Sequence, residues 1–207
     1  MLLWIRTIAW ALLLAIGFAS AAIFLGWWQV DGPGRYTELN GGVVTPGAPQ
    51  IGGPFTLVTH KGKTVTEKDF LGRPLLIFFG FTHCPDVCPT TLFETTNRLR
   101  QLGADADRLQ VLFITADPER DTPAQLALYL EAFDSRILGL SGSQEQIDGA
   151  IRAFKVYARK VPTTSGYTMD HTASVIMMDG NGQFRGMIDY HEHESVALAK
   201  IRRLIAR

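Results

Sequence analysis

The sequence predicts an α/β fold, a mixed β-sheet with helices on both faces, carried behind a single N-terminal membrane anchor. Three observations point there. The apolar residues are unevenly placed: 24 of the first 30 belong to the hydrophobic set, against about 40% of the remaining 177. Two continuous apolar runs, Leu75 to Phe81 and Gln110 to Ala116, have strand length and no alternation, as strands covered on both faces do. Between and after them, apolar residues recur at helical spacing.

From Ile8 to Trp28 the chain carries no charge, and at about 1.5 Å per residue it is long enough to cross a hydrocarbon core of about 30 Å. Trp4 and the pair Trp27 and Trp28 stand near the two ends, where indoles favour the interface. A cleavable signal peptide ending at Ala19-Ser20-Ala21 is the alternative, but the apolar run continues past that site. Arg6 before the span, against Asp31, Arg35 and Glu38 after it, favours an inside N-terminus and an exported body. With no cysteine near the span and no Arg- and Ser-rich presequence, the reading is a bacterial inner-membrane anchor with a periplasmic domain. Residues 31–50 are rich in glycine and proline and read as a flexible tether. The expected division is therefore an anchor over 1–30, a linker over 31–50 and one domain over 51–207, large enough for a single buried core.

Within that domain, Phe55 to Thr59 and Thr64 to Thr66 flank His60-Lys61-Gly62-Lys63 as a hairpin. Strands follow at Leu75 to Phe81 and Gln110 to Ala116, with a helix over Pro89 to Leu102 between them. Thr122 and Pro123 have the character of an N-cap and a first helical residue, opening a helix that shows Leu126, Leu130 and Phe133 on one face. Ser143 with Gln146 is a capping-box pattern and starts a helix to about Phe154. Ala173 to Met178 and Gln183 to Ile188 form a hairpin about Asp179-Gly180-Asn181-Gly182, and Glu194 to Ile205 closes as an amphipathic helix. This order is the thioredoxin-like arrangement.

Twenty basic and twenty acidic residues give no net charge, which argues against a nucleic-acid binder acting through a basic surface. Two cysteines cannot build a disulfide framework or a four-thiolate zinc site. They stand together as Cys84 and Cys88 in GFTHCPDVCPTTL, between a buried strand and a helix. Backbone N–H groups at a helix start lower a thiol's pKa, and the thiolate is the form that attacks disulfides and binds metal. Pro89 disfavours helical backbone at Cys88, so the first turn is expected to be irregular. A disulfide here would close too small a loop to stabilise much, and three intervening residues differ from the two of thioredoxin-type redox motifs. The wider spacing favours a metal.

The segment THCPDVCP, the block Ala116-Asp117-Pro118-Glu119-Arg120-Asp121-Thr122-Pro123 and the later Asp170-His171, in this order, resemble the Sco/SenC family of membrane-anchored copper proteins. The resemblance runs from about Gly52 to the C-terminus. It implies a thioredoxin-like fold and one copper ion held by Cys84, Cys88 and His171. It also implies a part in assembling the copper A centre of cytochrome c oxidase subunit II. Oxidised cysteines could not serve as thiolate ligands, so an exported domain of this kind needs a reductant, with a thioredoxin-like protein as the expected partner. Two thiolates and an imidazole suit soft Cu(I), and Cu(II) if another ligand joins; zinc prefers four ligands. The segment Tyr167 to Thr172 is read as the loop facing the cysteine turn, with a histidine where a redox enzyme of this fold keeps a proline. Two other readings share the residues: a thiol-disulfide oxidoreductase that keeps the oxidase cysteines reduced, and a copper-responsive redox sensor.

Neighbouring groups receive subordinate roles. His83 is placed to tune the acidity of Cys84, and Met169 to act as a weak axial ligand. Asp86 suits a cationic partner or the turn's own N–H groups, while Asp117 and Asp121 suit caps and turns. His60 reads as a turn residue, and His191 with His193 as an exposed strand end.

Overall fold

The computed structural model describes residues 50–206 apart from Ser165, the segments Thr37–Leu39 and Gly42–Val44, and the helical residues Trp4, Arg6, Trp10, Gly17 and Phe18. The expected span over residues 8–28 lies almost wholly outside the described residues, and among those no helix is long and apolar enough to cross a membrane. The chain divides into two compact units, Met1–Pro49 and Gln50–Arg207. In the first, β1 (Thr37–Leu39) pairs antiparallel with β2 (Gly42–Val44), Leu39 opposite Gly42. That pair falls in the segment expected to be an unstructured tether. The sequence between the strands is Asn40-Gly41, a strong two-residue hairpin signal that the abundance of glycine and proline obscured.

The second unit is built on seven strands: β3 (Thr56–Thr59), β4 (Thr64–Thr66), β5 (Leu75–Gly80), β6 (Gln110–Thr115), β7 (Ile137–Ser141), β10 (Val175–Met178) and β11 (Phe184–Ile188). Their order across the sheet is β11-β10-β5-β6-β7-β3-β4, with β5, β6 and β7 parallel and the flanking pairs antiparallel. Side chains of the central strands alternate between two cores. Leu76, Phe78, Val111 and Phe113 join Leu92 and Leu99 of α1 (Val87–Leu102), Leu126 and Leu130 of α2 (Pro123–Leu130), and Ala197 and Ile201 of α4 (Glu194–Ile205). On the opposite face Ile77, Phe79, Leu112 and Ile114 meet Phe70 together with Ile147 and Ala150 of α3 (Gln144–Ala153). The expected mixed sheet with helices on both faces is thus present, and both anticipated N-terminal caps form. The Thr122 hydroxyl accepts from Gln125 N–H at 3.3 Å, and Ser143 and Gln146 make the reciprocal capping box.

Three strands depart from the sequence expectation. Strand β7 is an unanticipated third parallel strand. The segment Tyr167 to Thr172, expected as a loop, is largely strand: β9 (Gly166–His171) pairs antiparallel with β8 (Ala158–Thr163) in a two-stranded sheet separate from the main one. Thr172 continues the association, its N–H donating to Tyr157 O at 3.0 Å.

Just past α3 and its C-cap Phe154, Lys155 has φ 55°, the left-handed region usually given to glycine, and Val156 N–H returns to Ile151 O at 3.0 Å. Lys155 is exposed, so its side chain offers no packing in return. Lys155→Gly should raise stability by about 0.5–1 kcal/mol, since relief of left-handed strain exceeds glycine's added chain entropy. Urea unfolding of the two chains measures it.

Candidate metal centre

The cysteine turn grows directly from the central strand. After β5 ends at Gly80, buried Phe81 accepts the N–H of Cys84 at 3.3 Å, and α1 begins at Val87. Cys88 is its second residue and is fully buried; Cys84 is partly buried, and both are free thiols. Pro89 therefore lies inside the helix instead of opening it, at a first-turn position whose N–H would have no helical partner. Asp86 precedes the helix with irregular backbone and makes no capping bond; its side chain accepts from the Thr90 hydroxyl at 3.3 Å. Gly80 makes room for the sulfur. A Cβ there would lie 2.6 Å from the Phe113 ring and 2.9 Å from Cys88 Sγ.

His171 is the last residue of β9, and its Nε2 lies 3.4 Å from Cys88 Sγ. Its Nδ1 lies 2.9 Å from Thr172 O. A carbonyl can only accept, so Nδ1 donates to it, and Nε2 is the ring nitrogen directed at the sulfur. The edges of Phe81 and Phe78 pack on the imidazole at centroid distances of 5.7 and 6.1 Å. Ligand atoms of Cys84, Cys88 and His171 all fall within 4.8 Å of one another, the one such His, Cys, Asp or Glu group among the described residues.

Each side of this cluster is held by the Asp117 to Asp121 segment. Both aspartates are fully buried. Asp121 Oδ2 accepts from Thr82 N–H at 3.0 Å and the Thr115 hydroxyl at 2.7 Å, and Oδ1 accepts from the Thr82 hydroxyl at 2.6 Å. Asp117 pairs with Arg120 and accepts from the Tyr167 hydroxyl at 2.9 Å. Arg120 donates to Tyr167 O at 3.1 Å and lies over the Tyr167 ring at 3.9 Å and the Phe81 ring at 5.9 Å. The cap-and-turn expectation for the two aspartates understated them: one fixes the turn before the cysteines, the other the strand that ends in His171. Arg120, Tyr167 and Thr82 have no role of their own in the sequence expectation. For Arg120 the available signal was a group of charged residues just after the continuous buried run of β6.

The two thiols differ. The Cys84 pKa is lowered to about 5, chiefly by a hydrogen bond from the Cys88 thiol, helped by the N–H groups of Asp86 and Cys88 and by nearby His171, against desolvation. The Cys88 N–H lies 3.4 Å from Cys84 Sγ. Cys88 is pushed far above the ordinary range because its proton makes that bond and its sulfur is buried. The other candidate histidines are outside that group and have other partners. His83 is turned to the Thr82 hydroxyl at 3.0 Å and lies 3.9 Å from Asp121. His60 accepts from Gly139 N–H at 3.0 Å, and His193 accepts from Ser195 N–H at 3.3 Å at the start of α4. His191 packs on Tyr190, and Met169 packs against the core that contains Cys88.

A thioredoxin-like sheet bearing two cysteines at a helix start and a facing histidine defines a class of thiol- and imidazole-bearing domains able to hold a soft metal ion. The SCO1/SenC family model matches residues 43–206, and the chain belongs to that family. The mitochondrial SCO1 homologue of Mus musculus is 42% identical over 148 residues, covering 70% of this chain and 51% of that protein. The chain spans about half the length of the curated mouse and human relatives it matches. Among solved structures, Bradyrhizobium japonicum ScoI with copper bound is 50% identical with a TM-score of 0.70, covering 74% of this chain and 99% of that one. Yeast Sco1 with copper bound is 37% identical, also at 0.70, covering 76% and 90%.

Two outcomes follow from the geometry. Alkylation of the reduced chain should be confined to Cys84 and half-maximal near pH 5, the thiolate forming as pH rises through that value. In Cys88→Ala the midpoint should move up towards the ordinary thiol range, and an unchanged rate profile would contradict the assigned hydrogen bond. Asp121→Ala leaves the Thr82 N–H and two hydroxyls without an acceptor and should cost on the order of 3 kcal/mol in urea unfolding.

Proposed function

We propose that this chain is a membrane-anchored copper metallochaperone that binds one copper ion through Cys84, Cys88 and His171 and assists assembly of the copper A centre of cytochrome c oxidase. The observation that carries the reading is the convergence of His171 Nε2 with the buried Cys88 sulfur and the partly exposed Cys84 sulfur, Nδ1 being turned to a backbone carbonyl. Two thiolates with one imidazole are a soft, low-coordinate donor set that suits Cu(I), and a fourth ligand would be needed for ordinary zinc coordination. Membership of the SCO1/SenC family and the likeness to two copper-bound Sco structures support the same cargo.

In this reading Cys84 is the entry ligand, already a thiolate and partly exposed, and Cys88 and His171 complete the site behind it. Release proceeds by ligand exchange to a thiol- and histidine-bearing acceptor such as oxidase subunit II. The exported location, the bacterial inner membrane and a thioredoxin-like reductant belong to the same proposal, because oxidised cysteines offer no thiolate ligands. The depressed pKa of Cys84 also favours a second reading, a thiol-disulfide oxidoreductase acting on the acceptor's cysteines.

Copper titration of the reduced chain separates the two. One ion should bind per chain with thiolate-to-copper charge transfer in the absorption spectrum, and binding should be lost in Cys84→Ser, Cys88→Ser and His171→Ala. Disulfide exchange should survive in His171→Ala. Copper affinity in the micromolar range or weaker for the unaltered chain would overturn the chaperone reading.

A further inference from the structure

The end of the domain opposite the metal centre carries features that the copper reading does not use. Strand β5 runs for six residues from Leu75 to Gly80, so its amino end lies about 20 Å from the cysteine turn. Other segments gather at that end. Gly72 N–H donates to Gly180 O at 2.8 Å, which sets the loop before β5 against the turn between β10 and β11. Leu71 Cδ2 lies 3.5 Å from the position that a Cβ on Gly182 would take. Gln110, the first residue of β6, is paired with Leu75, and nearby Arg108 donates to Ile205 O at 3.0 Å, so α4 ends here as well.

The surface formed there is both apolar and cationic. Leu71 is 53% exposed and Phe184 37%. Leu71 and Gly182 also line a pocket of about 290 Å³ together with Pro54, Phe55, Phe70 and Met178. Lys68, Arg73, Arg202 and Arg203 are exposed and have no side-chain partner among the described residues. Arg203 shares a second pocket with Arg185, whose guanidinium is held by Asp179 in the β10–β11 turn, so the cations of α4 are continuous with that turn. The acidic groups at this end are engaged: Asp69 accepts from Thr66, and Asp105 and Asp107 pair with Arg108 and Arg136.

The chain enters the domain at the same end. Gly52 N–H donates to Ala153 O at 2.9 Å, and a Cβ on Gly52 would stand 2.7 Å from Met178 Cε and 3.9 Å from Gly182 O. Residues before Gln50 lead back to the apolar run over 8–28. A domain tethered at its entry point is held closest to the bilayer there. Exposed apolar groups beside unpaired cations suit an anionic lipid surface, where each cation adds an attraction that fades within a Debye length. We infer that this end of the domain rests on an anionic bilayer surface, with Leu71 and Phe184 at headgroup level and Lys68, Arg73, Arg202 and Arg203 on lipid phosphates. The inference rests on the membrane-anchored reading above. It fixes an orientation: Cys84, Cys88 and His171 face away from the membrane, open to an acceptor domain that stands off the bilayer.

The test reconstitutes the full chain into vesicles of phosphatidylcholine alone and of phosphatidylcholine mixed with phosphatidylglycerol, and follows amide hydrogen exchange. Exchange around Leu71 to Arg73 and Asn181 to Phe184 should be about fivefold or more slower on the mixed vesicles, since one cation at an anionic surface is worth about that factor. The difference should vanish at high salt and in the double variant Arg73→Gln with Arg203→Gln, whose melting midpoint should match that of the unaltered chain. Exchange in β8 and β9 should be the same on both vesicles. Equal exchange at the Leu71 and Gly182 segments on the two vesicles would overturn the orientation, and so would protection of β8 and β9 in their place. Protection that ignores lipid charge and salt but grows with protein-to-lipid ratio would also overturn it, because a second copy would then be the cover. Release of the chain from the vesicles by alkaline carbonate would instead overturn the anchored reading, and this orientation with it.

Discussion

The carboxylate of Asp121 has no exposure to water, and a buried anion persists only where its oxygens are saturated with hydrogen bonds. The groups that saturate it come from Thr82, just beyond β5, and from Thr115 at the end of β6. Its own carbonyl accepts from Ser141 at the end of β7, 2.7 Å away. Through its carboxylate and its carbonyl this one residue thus brings together the carboxyl ends of three neighbouring parallel strands, the edge at which open α/β sheets gather their ligand-binding groups. The cysteine turn leaves the sheet at that point with little freedom to move.

The same segment carries the constraint across to the imidazole. Four residues before Asp121, Asp117 holds Arg120 and the Tyr167 hydroxyl, and Arg120 lies against both Phe81 and Tyr167. Phe81 is in turn packed edge-on against His171. The sulfurs are therefore positioned from within the main sheet, and the histidine by a small separate sheet pinned to it through Arg120, the Tyr167 hydroxyl on Asp117 and the Lys160–Glu119 pair. Electrostatics then divides the labour between the thiols: the exposed partner is ionised at neutral pH, and the buried one holds the proton that stabilises it.

Most of the sheet could be read from local pattern. Strands β5 and β6 were visible because burial on both faces demands unbroken apolar runs, and the caps at Thr122 and Ser143 because the bonds they make are local. Strand β7 was hidden because Ile137–Ser141 is short, includes Gly139, and owes its extended form to pairing with β6. Strands β8 and β9 have neither alternation nor a buried run, since they pair only with each other. Cys84 and Cys88 were legible from their place between strand and helix, whereas His171 was reached only through resemblance. The roles of Asp117 and Asp121 could not be read because their partners lie far along the chain, 39 residues away for Thr82 and 50 for Tyr167.

The separation between Cys88 and His171 has its own thermodynamic meaning. A disulfide between Cys84 and Cys88 would close a loop of five residues, worth about 2 kcal/mol in the chain-entropy account. An ion shared by Cys88 and His171 fastens points 83 residues apart, and on the same account such a cross-link restrains the unfolded chain by about 4–5 kcal/mol. It would also tie the small β8–β9 sheet to the main one. An ion held there would be a structural staple for as long as it stayed, and its loss would return the chain to a looser and less stable form.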